Sequence, residues 1–463
     1  MGFPEYHFIA IGGIGQSALA EILLKEGKTV SGSDILKSKY VQRLEKFGAK
    51  VYIGHSANNI SGSPKVVISS AIKEDNPELK YARDKGLEVL HRSDLLKIIS
   101  QRYPKFFGFC GTHGKTTTSG LCAYLLSKGG YKPAYAIGGI IPELNTNGDC
   151  EDKNTPYFSA ELDESDGTVL KYSPPYALIN NLEADHLDFY KNGLSDILDT
   201  FSKFLKNLSP DAKVLINLDN KGNLELIEKN KDFKNFIGYS IDNSDAKYRA
   251  KDIRYDVLSC SFDFCSDDKI IGKIELSIPG KHNVINALGV ASILYEAGID
   301  FEKIAPHFKT FSGMGRRFQK SAEFNSIRII DDYAHHPSEI KATLDAVKNY
   351  KEGRIVAIFQ PHRFSRFKGL YEDFKSALSL ADFICVLDVY AAGESYQGGK
   401  TPSDIALELI KEGKEAKYFE GSIENAAQTI LPLLKENDIV FTLGAGDITK
   451  MGKVLNELYV SEK

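Results

Sequence analysis

The sequence has no C-x-x-C pair and no finger spacing among its six cysteines, at positions 110, 122, 150, 260, 265 and 385. Neither a zinc-finger frame nor a redox dithiol is therefore expected. It also has no apolar run of signal-peptide or membrane-spanning length near its start, so membrane insertion is not expected and the cytoplasm, a reducing compartment, is favoured. Nor is there an excess of either charge. The 58 Lys and Arg stand against 62 Asp and Glu, a formal net charge of -4, which gives no global attraction to nucleic acid or anionic lipid. Low-complexity tracts and short-period repeats are absent too. What remains is a chain of 463 residues, which at roughly 150 residues per domain suggests about three domains, each able to bury its own core.

The most informative segment is Gly111 to Thr118, GTHGKTTT. The apolar run Phe106 to Cys110 delivers the chain into it as a strand, and Thr116 to Lys128, with Leu121, Tyr124 and Leu125 at helical spacing, leaves it as a helix stopped by Gly129 and Gly130. A glycine turn between strand and helix is a phosphate cradle. Backbone N–H groups and the positive end of the helix face an anion, Lys115 adds a cation, and the Thr116 hydroxyl is placed to complete a Mg²⁺ shell. The pattern is imperfect, with Phe109 where a glycine is usual.

The first forty residues repeat the theme. His7 to Ile11 reads as a strand, Gly13-x-Gly15-x-x-Ala18 follows, and a helix carrying Leu19, Ile22 and Leu23 ends at Gly27. A second strand from Thr29 reaches Asp34, 19 residues after Gly15. Such a fingerprint serves NAD(P), another nucleotide diphosphate, or tight packing alone, and the motif by itself does not choose. Strands at Lys65 to Ser70 and Glu88 to Leu90 continue this α/β unit to about residue 100.

Acids cluster after two later strand-like runs. Tyr157 to Ala160 leads to Glu161, Asp163, Glu164 and Asp166, while Ala177 to Leu182 leads to Glu183, Asp185, His186 and Asp188. Ligands of open α/β sheets sit beyond the carboxyl ends of strands, and Mg²⁺ bridging phosphates gives acids a reason to gather there. Residues 246 to 279 alternate as an antiparallel appendage would, in runs such as Val257 to Phe262 and Lys273 to Ile278. A helix then opens with Asn283 and Asn286 on one turn, amides that either read a planar heterocycle or, for Asn283, cap the helix. From about residue 315 a third α/β unit ends its strands in Asp331-Asp332-Tyr333-Ala334-His335-His336, Gln360 to Arg366, Asp388 to Tyr390 and Gly444 to Asp447. His335, His336, His362 and two arginines at strand ends favour a site.

Taken in order, GGIGQSALA at 12, GSD at 32, SSAI at 69, GTHGKTTT at 111, ELDESD at 161, NNLEADHLDFY at 180, HNVINAL at 282, GRRF at 315, DDYAHHPSEI at 331, FQPHRFSR at 359, LDVYAAGE at 387 and LGAGD at 443 give the chain an end-to-end resemblance to the Mur ligases. It departs from the family pattern only at Gln16, Leu162, Ala334 and Phe364, none a catalytic group. The resemblance implies an α/β fold of three domains. Residues 1–100 would form a Rossmann-like UDP-sugar domain, 101–314 a central P-loop ATPase-type mononucleotide-binding domain, and 315–463 a C-terminal Rossmann-like domain.

It also implies an activity: ATP-dependent joining of L-alanine to the lactyl carboxylate of UDP-N-acetylmuramate through an acyl phosphate, for peptidoglycan synthesis. By resemblance, Gly13, Gly15, Asp34, Ser69 and His186 contact the UDP-sugar. Gly111, Thr112, Gly114, Lys115, Thr116, Thr117, Asn283, Asn286, Arg317 and Asp332 bind ATP. Magnesium falls to Thr116, Glu161 and His186, and catalysis to Lys115, Glu161, His186, Arg317 and Asp332. Tyr333, His335, His362 and Arg366 surround the alanine, an arginine fork suiting its carboxylate. Some members carry a carbamylated lysine where this chain has Phe201, as the alanine-adding type does. ATP ligands spread over two domains imply closure during the reaction. The partners expected are small molecules only, acting on a monomer or weak homodimer. Two rivals stay open: a ligase of the same superfamily that attaches a whole tripeptide, against which the His362 to Arg366 run argues, and an NAD-dependent oxidoreductase with a regulatory ATP domain.

Overall fold

The computed structural model describes residues 2–185, 189–256, 259–315, 318–348, 352–396 and 398–461. Three sheets organise them. The first runs Lys50–Ile53, Val30–Asp34, Tyr6–Ile9, Lys65–Ile68, Val89–His91, all parallel. Its order is the Rossmann-like one, in which the strand order reverses beside the first strand and leaves a crevice at the carboxyl ends.

The second sheet has ten strands, in the order Lys269–Leu276, Cys260–Ser266, Tyr248–Tyr255, Phe236–Ser240, Lys213–Asn217, Tyr176–Ile179, Lys105–Cys110, Tyr157–Glu161, Ala134–Ile141, Thr146–Cys150. Lys105–Cys110 lies near its middle with parallel partners on both sides. That is why FFGFC is an unbroken apolar run: helices cover both faces of such a strand. The segment expected as an antiparallel appendage continues this sheet at one end, where Tyr239 and Ser240 pair in parallel with Tyr248 and Arg249. Val257 and Leu258, which opened one of the expected runs, lie outside the described residues.

The third sheet runs Gln319–Phe324, Ile327–Asp332, Ile439–Leu443, Ile355–Phe359, Phe383–Leu387, Glu415–Phe419. Only its first pair is antiparallel. The carboxyl ends of Ile327–Asp332, Ile439–Leu443 and Ile355–Phe359 are therefore neighbours, and Asp332, Gly444 and Gln360 open from one edge.

The chain forms two compact units, residues 1–253 with 261–275 and 285–311, and residues 312–463 with 254–260 and 276–284. The first unit thus carries two sheets. Helix Ile14–Lys25 of the first packs on the strands Ala134–Ile141 and Thr146–Cys150 of the second. Asn147 donates to the Ile14 carbonyl there, and Glu21, 2% exposed, takes two 2.7 Å bonds from Arg43.

Glu296, at the end of helix Lys281–Glu296, ties this helix to the sheet by accepting from Lys213 and Tyr248 at 2.7 Å and from Lys247 at 2.5 Å. Burial raises its pKa, but these donors overcome that and hold it at about 2. A depressed folded-state pKa means the stabilisation is complete above the ordinary carboxylate range and disappears as pH falls toward 2. Acid unfolding of Glu296→Gln is expected to show a shallower stability loss between about pH 5 and pH 2 than wild type. Parallel slopes in chemical denaturation across that range would refute the assignment.

Candidate active site

Gly114 precedes the helix Lys115–Lys128 in a left-handed conformation, φ +86°, and turns the chain so that the next residues start the helix over the end of Lys105–Cys110. The loop is held from behind by amides. Asn181 Oδ1 accepts from the His113 N–H at 2.7 Å, and its Nδ2 returns to the His113 carbonyl at 2.9 Å. Asn180 Nδ2 donates to that carbonyl at 3.0 Å and to Asn286 Oδ1 at 2.8 Å, while Tyr239 donates to Asn180 Oδ1 at 2.9 Å. Thr112 exchanges hydrogen bonds with the Glu183 backbone at 3.3 and 2.9 Å. Thr117 sits in the first helical turn.

Two acids from the end of Tyr157–Glu161 face the loop. Thr116 Oγ1 donates to Glu161 Oε2 at 2.8 Å, and the Gly138 N–H reaches the same oxygen at 3.2 Å. Lys115 Nζ contacts Glu164 Oε1 at 2.8 Å and the carbonyls of Gly111 and Thr112 at 2.8 and 3.1 Å. Burial pushes the Lys115 ammonium down, but Glu164 and Glu161 outweigh it and hold it above the usual lysine value. Burial moves the Glu164 carboxyl the other way, up to about 7, against the pull of Lys115. Asp163 is also raised by burial, yet the Ser165 N–H and Lys115 bring it below the usual carboxylate value. Asp166 caps its own turn through the Thr168 N–H.

On the first sheet the Gly13-x-Gly15 turn starts helix Ile14–Lys25, with Gly13 extended at φ -64°. Asp34, 9% exposed, uses both oxygens on this turn and the next, accepting from Gly12 N at 2.8 Å and Leu36 N at 3.1 Å. The closest approach belongs to Gly12, where a Cβ would sit 2.9 Å from Asp34. Gly15 lies beside the Arg92 guanidinium, which also lies 3.5 Å from Asp163. Ser69 follows Lys65–Ile68 and accepts from Ile72 N at 3.0 Å.

In the other unit Asp332, 5% exposed, fixes the chain around it by accepting from Phe318 N at 3.0 Å and Ala334 N at 2.8 Å. His335 stands edge-on to Tyr333 and to His362, ring centroids 5.1 and 6.0 Å apart, and His362 stacks on Tyr390 at 5.6 Å. Arg366 Nη1 lies 3.3 Å from His362 Nδ1. An arginine has no lone pair to offer, so His362 Nδ1 accepts and the ring carries its proton on Nε2. Burial first, then His335, Arg366 and Arg363, lower the His362 pKa to about 4, which keeps this ring neutral. Arg363 adopts φ +71° to join strand end to helix Phe364–Gly369, with its N–H on the Tyr390 carbonyl at 2.9 Å. Strain of that kind in a non-glycine residue concentrates at functional sites. His336 has a different role. Its Nδ1 accepts from Ser338 N and Glu339 returns to its N–H, a capping box for helix Pro337–Asp345.

The expected residues thus fall into three groups. Lys115, Thr116, Glu161 and Asn286 gather at the phosphate loop; Gly13, Gly15 and Asp34 share the first sheet's turn; Tyr333, His335, His362 and Arg366 surround a third strand-end cluster. Asn283 Nδ2 is engaged with the Pro279 carbonyl at 2.7 Å. Asn286, expected to face a heterocycle, holds Asn180 behind the loop. His186 and Arg317 lie outside the described residues. The hub formed by Asn180 and Asn181, and the Lys115 to Glu164 pair, were not singled out from sequence; two adjacent asparagines directly after a strand were the available signal.

Glycine turn, lysine, hydroxyl and acids come together at the carboxyl ends of one sheet's strands, a candidate site for an anion such as a nucleotide phosphate. The chain matches the family descriptions "Mur ligase family, catalytic domain" over residues 5–104, "Mur ligase middle domain" over 110–294 and "Mur ligase, glutamate ligase domain" over 316–446. The chain belongs to the Mur ligase family. It is 40% identical to the UDP-N-acetylmuramate--L-alanine ligase of Geotalea daltonii, covering 97% of each chain, and 39% identical to that of Caldanaerobacter subterraneus, again 97% of each. The crystal structure of UDP-N-acetylmuramate-alanine ligase from Thermotoga maritima superposes with a TM-score of 0.82 at 30% identity, covering 99% of this chain and 100% of that one. A murein peptide ligase from Psychrobacter arcticus shares the fold, with a TM-score of 0.68 at 22% identity over 98% of each chain. Among the described residues, no helix is long and apolar enough to cross a membrane.

Proposed function

We propose that the chain is an ATP-dependent, ADP-forming ligase that joins L-alanine to the lactyl carboxylate of UDP-N-acetylmuramate in peptidoglycan synthesis. The observation that carries the chemistry is the phosphate loop flanked by Glu161 and Glu164 on one sheet edge; full-length relatives carry the substrates. A carboxylate is a poor acyl donor. Transfer of the ATP γ-phosphoryl to it gives an acyl phosphate, and the alanine amine then displaces phosphate and loses a proton to form the amide. Phosphoryl transfer needs in-line positioning and charge neutralisation more than covalent help. Lys115 supplies a cation for the β- and γ-phosphates, and the loop N–H groups orient them.

Magnesium fits the Thr116 and Glu161 oxygens, since this ion favours one or two carboxylates completed by phosphates and water. His186, outside the described residues, is the further ligand we assign. When bound, Mg²⁺ neutralises charge on the β- and γ-phosphates. We assign Gly13, Gly15, Asp34, Ser69 and His186 to the UDP-sugar, and Arg317, Asp332, Asn283 and Asn286 to ATP with the loop residues. The domain limits proposed are 1–100, 101–314 and 315–463. We place the enzyme in the cytoplasm, as a monomer or weak homodimer; its six buried free thiols suit a reducing compartment.

The test is a substrate panel. ADP and phosphate are expected only when ATP, Mg²⁺, UDP-N-acetylmuramate and L-alanine are all present, with little turnover when a tripeptide replaces alanine. Release of AMP and pyrophosphate would sink the reading.

Tyr333, His335, His362 and Arg366 are assigned to the alanine. Neutral His362 fixes Arg366 from one side, leaving a planar fork that takes a carboxylate through two hydrogen bonds. Arg366→Lys keeps the charge and loses the geometry. The KM for L-alanine is expected to rise by about tenfold, the worth of one charge-assisted hydrogen bond at ~1.5 kcal/mol, with the KM for ATP little changed. Acyl phosphate, trapped by borohydride reduction, should still form. Unaltered alanine kinetics would remove Arg366 from the acceptor site.

A further inference from the structure

A buried carboxylate stands behind the first sheet's crevice. Glu78, in the first turn of helix Pro77–Asp84, has a side chain 0% exposed, as has His7 beside it on strand Tyr6–Ile9. Both of its oxygens are filled. Oε1 accepts from the Ser56 N–H at 3.1 Å and from Asn59 Nδ2 at 2.6 Å, while Oε2 accepts from Ser33 Oγ at 2.6 Å and from His7 Nε2 at 3.4 Å. Burial raises the Glu78 pKa, but these donors, His7 first, bring it below the usual carboxylate value. The group is therefore ionised and acts only as an acceptor.

That fixes the direction of the next hydrogen bonds. Ser33 spends its one proton on Glu78, so toward His55 Nδ1, 2.9 Å away, it can only accept. In the neutral imidazole the proton then sits on Nδ1, and Nε2 carries a lone pair. His55 follows the strand Lys50–Ile53, where the Gly54 N–H donates to the Asp34 carbonyl at 2.8 Å. Its side chain is 19% exposed, and among the described residues Nε2 has no hydrogen-bond partner. It stands beyond the carboxyl end of a parallel strand and beside the Asp34 turn, where such sheets take nucleotides.

We propose that Glu78 is a positioning residue of the UDP-sugar site: through Ser33 it sets the tautomer of His55, whose Nε2 then accepts a hydrogen bond from a donor of the bound nucleoside, the pyrimidine imide N–H or a ribose hydroxyl. This inference rests on the proposed placement of the UDP-sugar at the first sheet. Glu78→Gln reverses the direction of the chain without emptying it. The amide oxygen suits the Ser56 N–H and Asn59 Nδ2, the latter held as a donor by the Gly54 carbonyl at 3.0 Å. The amide N–H groups then fall to Ser33 and His7, and both can turn round. Ser33 passes its proton to His55 Nδ1, and His7 moves its own to Nδ1, where Ser31 Oγ at 2.8 Å accepts. His55 is left with its proton on Nε2 and no lone pair to offer.

The experiment is ¹⁵N NMR of the histidine rings in the full chain at about pH 8, above the ordinary imidazole range, with calorimetric titration of UDP. His55 is expected in the Nδ1–H form in the wild type and in the Nε2–H form in Glu78→Gln, its signals assigned by their loss in His55→Ala. Glu78→Gln is expected to bind UDP about three- to tenfold more weakly, the worth of one neutral hydrogen bond. Ser33→Ala cuts the chain with Glu78 in place and should weaken UDP binding by a similar factor, which carries the test if Glu78→Gln does not fold. UDP methylated at the imide nitrogen, or lacking a ribose hydroxyl, identifies the donor: the analogue without it binds the wild type more weakly and Glu78→Gln no more weakly than UDP does. A His55 proton that stays on Nδ1 in Glu78→Gln, unchanged UDP affinity in the folded variants, or analogues that lose as much affinity for Glu78→Gln as for the wild type overturns the inference. A wild type that does not bind UDP overturns instead the UDP-sugar placement beneath it.

Discussion

Lys115→Ala is expected to lower kcat by about 10²–10³, or ~3–4 kcal/mol of transition-state stabilisation, the usual loss when one preorganised charge-stabilising donor is removed. The reason is specific to this loop. Loop N–H groups still orient the phosphates, but the mobile cation that follows the migrating phosphoryl group is gone. Removing one partner of a buried ion pair ordinarily costs ~3–5 kcal/mol of stability because the other charge is stranded. Here Glu164 escapes much of that cost by protonation, since burial already holds its carboxyl at about 7. The variant should therefore fold and keep its affinity for UDP-N-acetylmuramate, whose proposed contacts lie on the first sheet's turn. Its stability deficit should grow as pH rises above 7, where neutralising Glu164 becomes harder. Single-turnover measurement of acyl phosphate separates this from a binding defect. A mutant that turns over ATP normally but no longer binds the UDP-sugar would reverse the assignment of the two sites.

Much of this architecture is legible in the sequence, and its gaps have a physical pattern. Lys105–Cys110 is read within one residue, and Ile355–Phe359 and Phe383–Leu387 stop where the polar residues Gln360 and Asp388 mark their ends, because strands buried on both faces must be apolar throughout. The strands that escape are of another kind. Gln319–Phe324, Glu415–Phe419 and Lys50–Ile53 lie at sheet edges with largely half-buried or exposed residues, so their pairing comes from the sheet they join rather than from their own pattern. Thr146–Cys150, reading TNGDC, is recruited by its hairpin with Ala134–Ile141. The site divides in the same way. The cradle GTHGKTTT is contiguous and announces itself, whereas Asn180 and Asn286 meet across 106 residues of sequence. Asp34 shows a subtler failure, because its position was foreseen but its engagement with two N–H groups of the turns was not.

Those distant amides set the second large effect, that of Gly114→Ala. A side chain at φ +86° costs about 1–2 kcal/mol through its clash with the following carbonyl. The added methyl also has nowhere to go, since a Cβ at Gly114 falls 2.4 Å from Asn180 Nδ2 and 2.8 Å from Asn286 Oδ1. A flexible neighbour would swing aside. Asn180, however, is fixed by the His113 carbonyl, Asn286 and the Tyr239 hydroxyl, all within 3.0 Å and nearly all buried. The loop must move instead, taking with it the N–H groups and the start of the helix that orients Lys115 and Thr116. Nucleotide affinity is expected to fall by at least ~100-fold, since small displacements of positioning groups are costly where geometry carries the chemistry. Binding of UDP-N-acetylmuramate should be nearly intact. The double variant Gly114→Ala with Asn180→Ala relieves the contact but leaves the strained φ, so recovery of part of the nucleotide affinity would show that the amide hub fixes the loop. No recovery, with the fold intact by circular dichroism, would place the whole defect in the backbone of Gly114 and take Asn180 out of the positioning of the phosphate cradle.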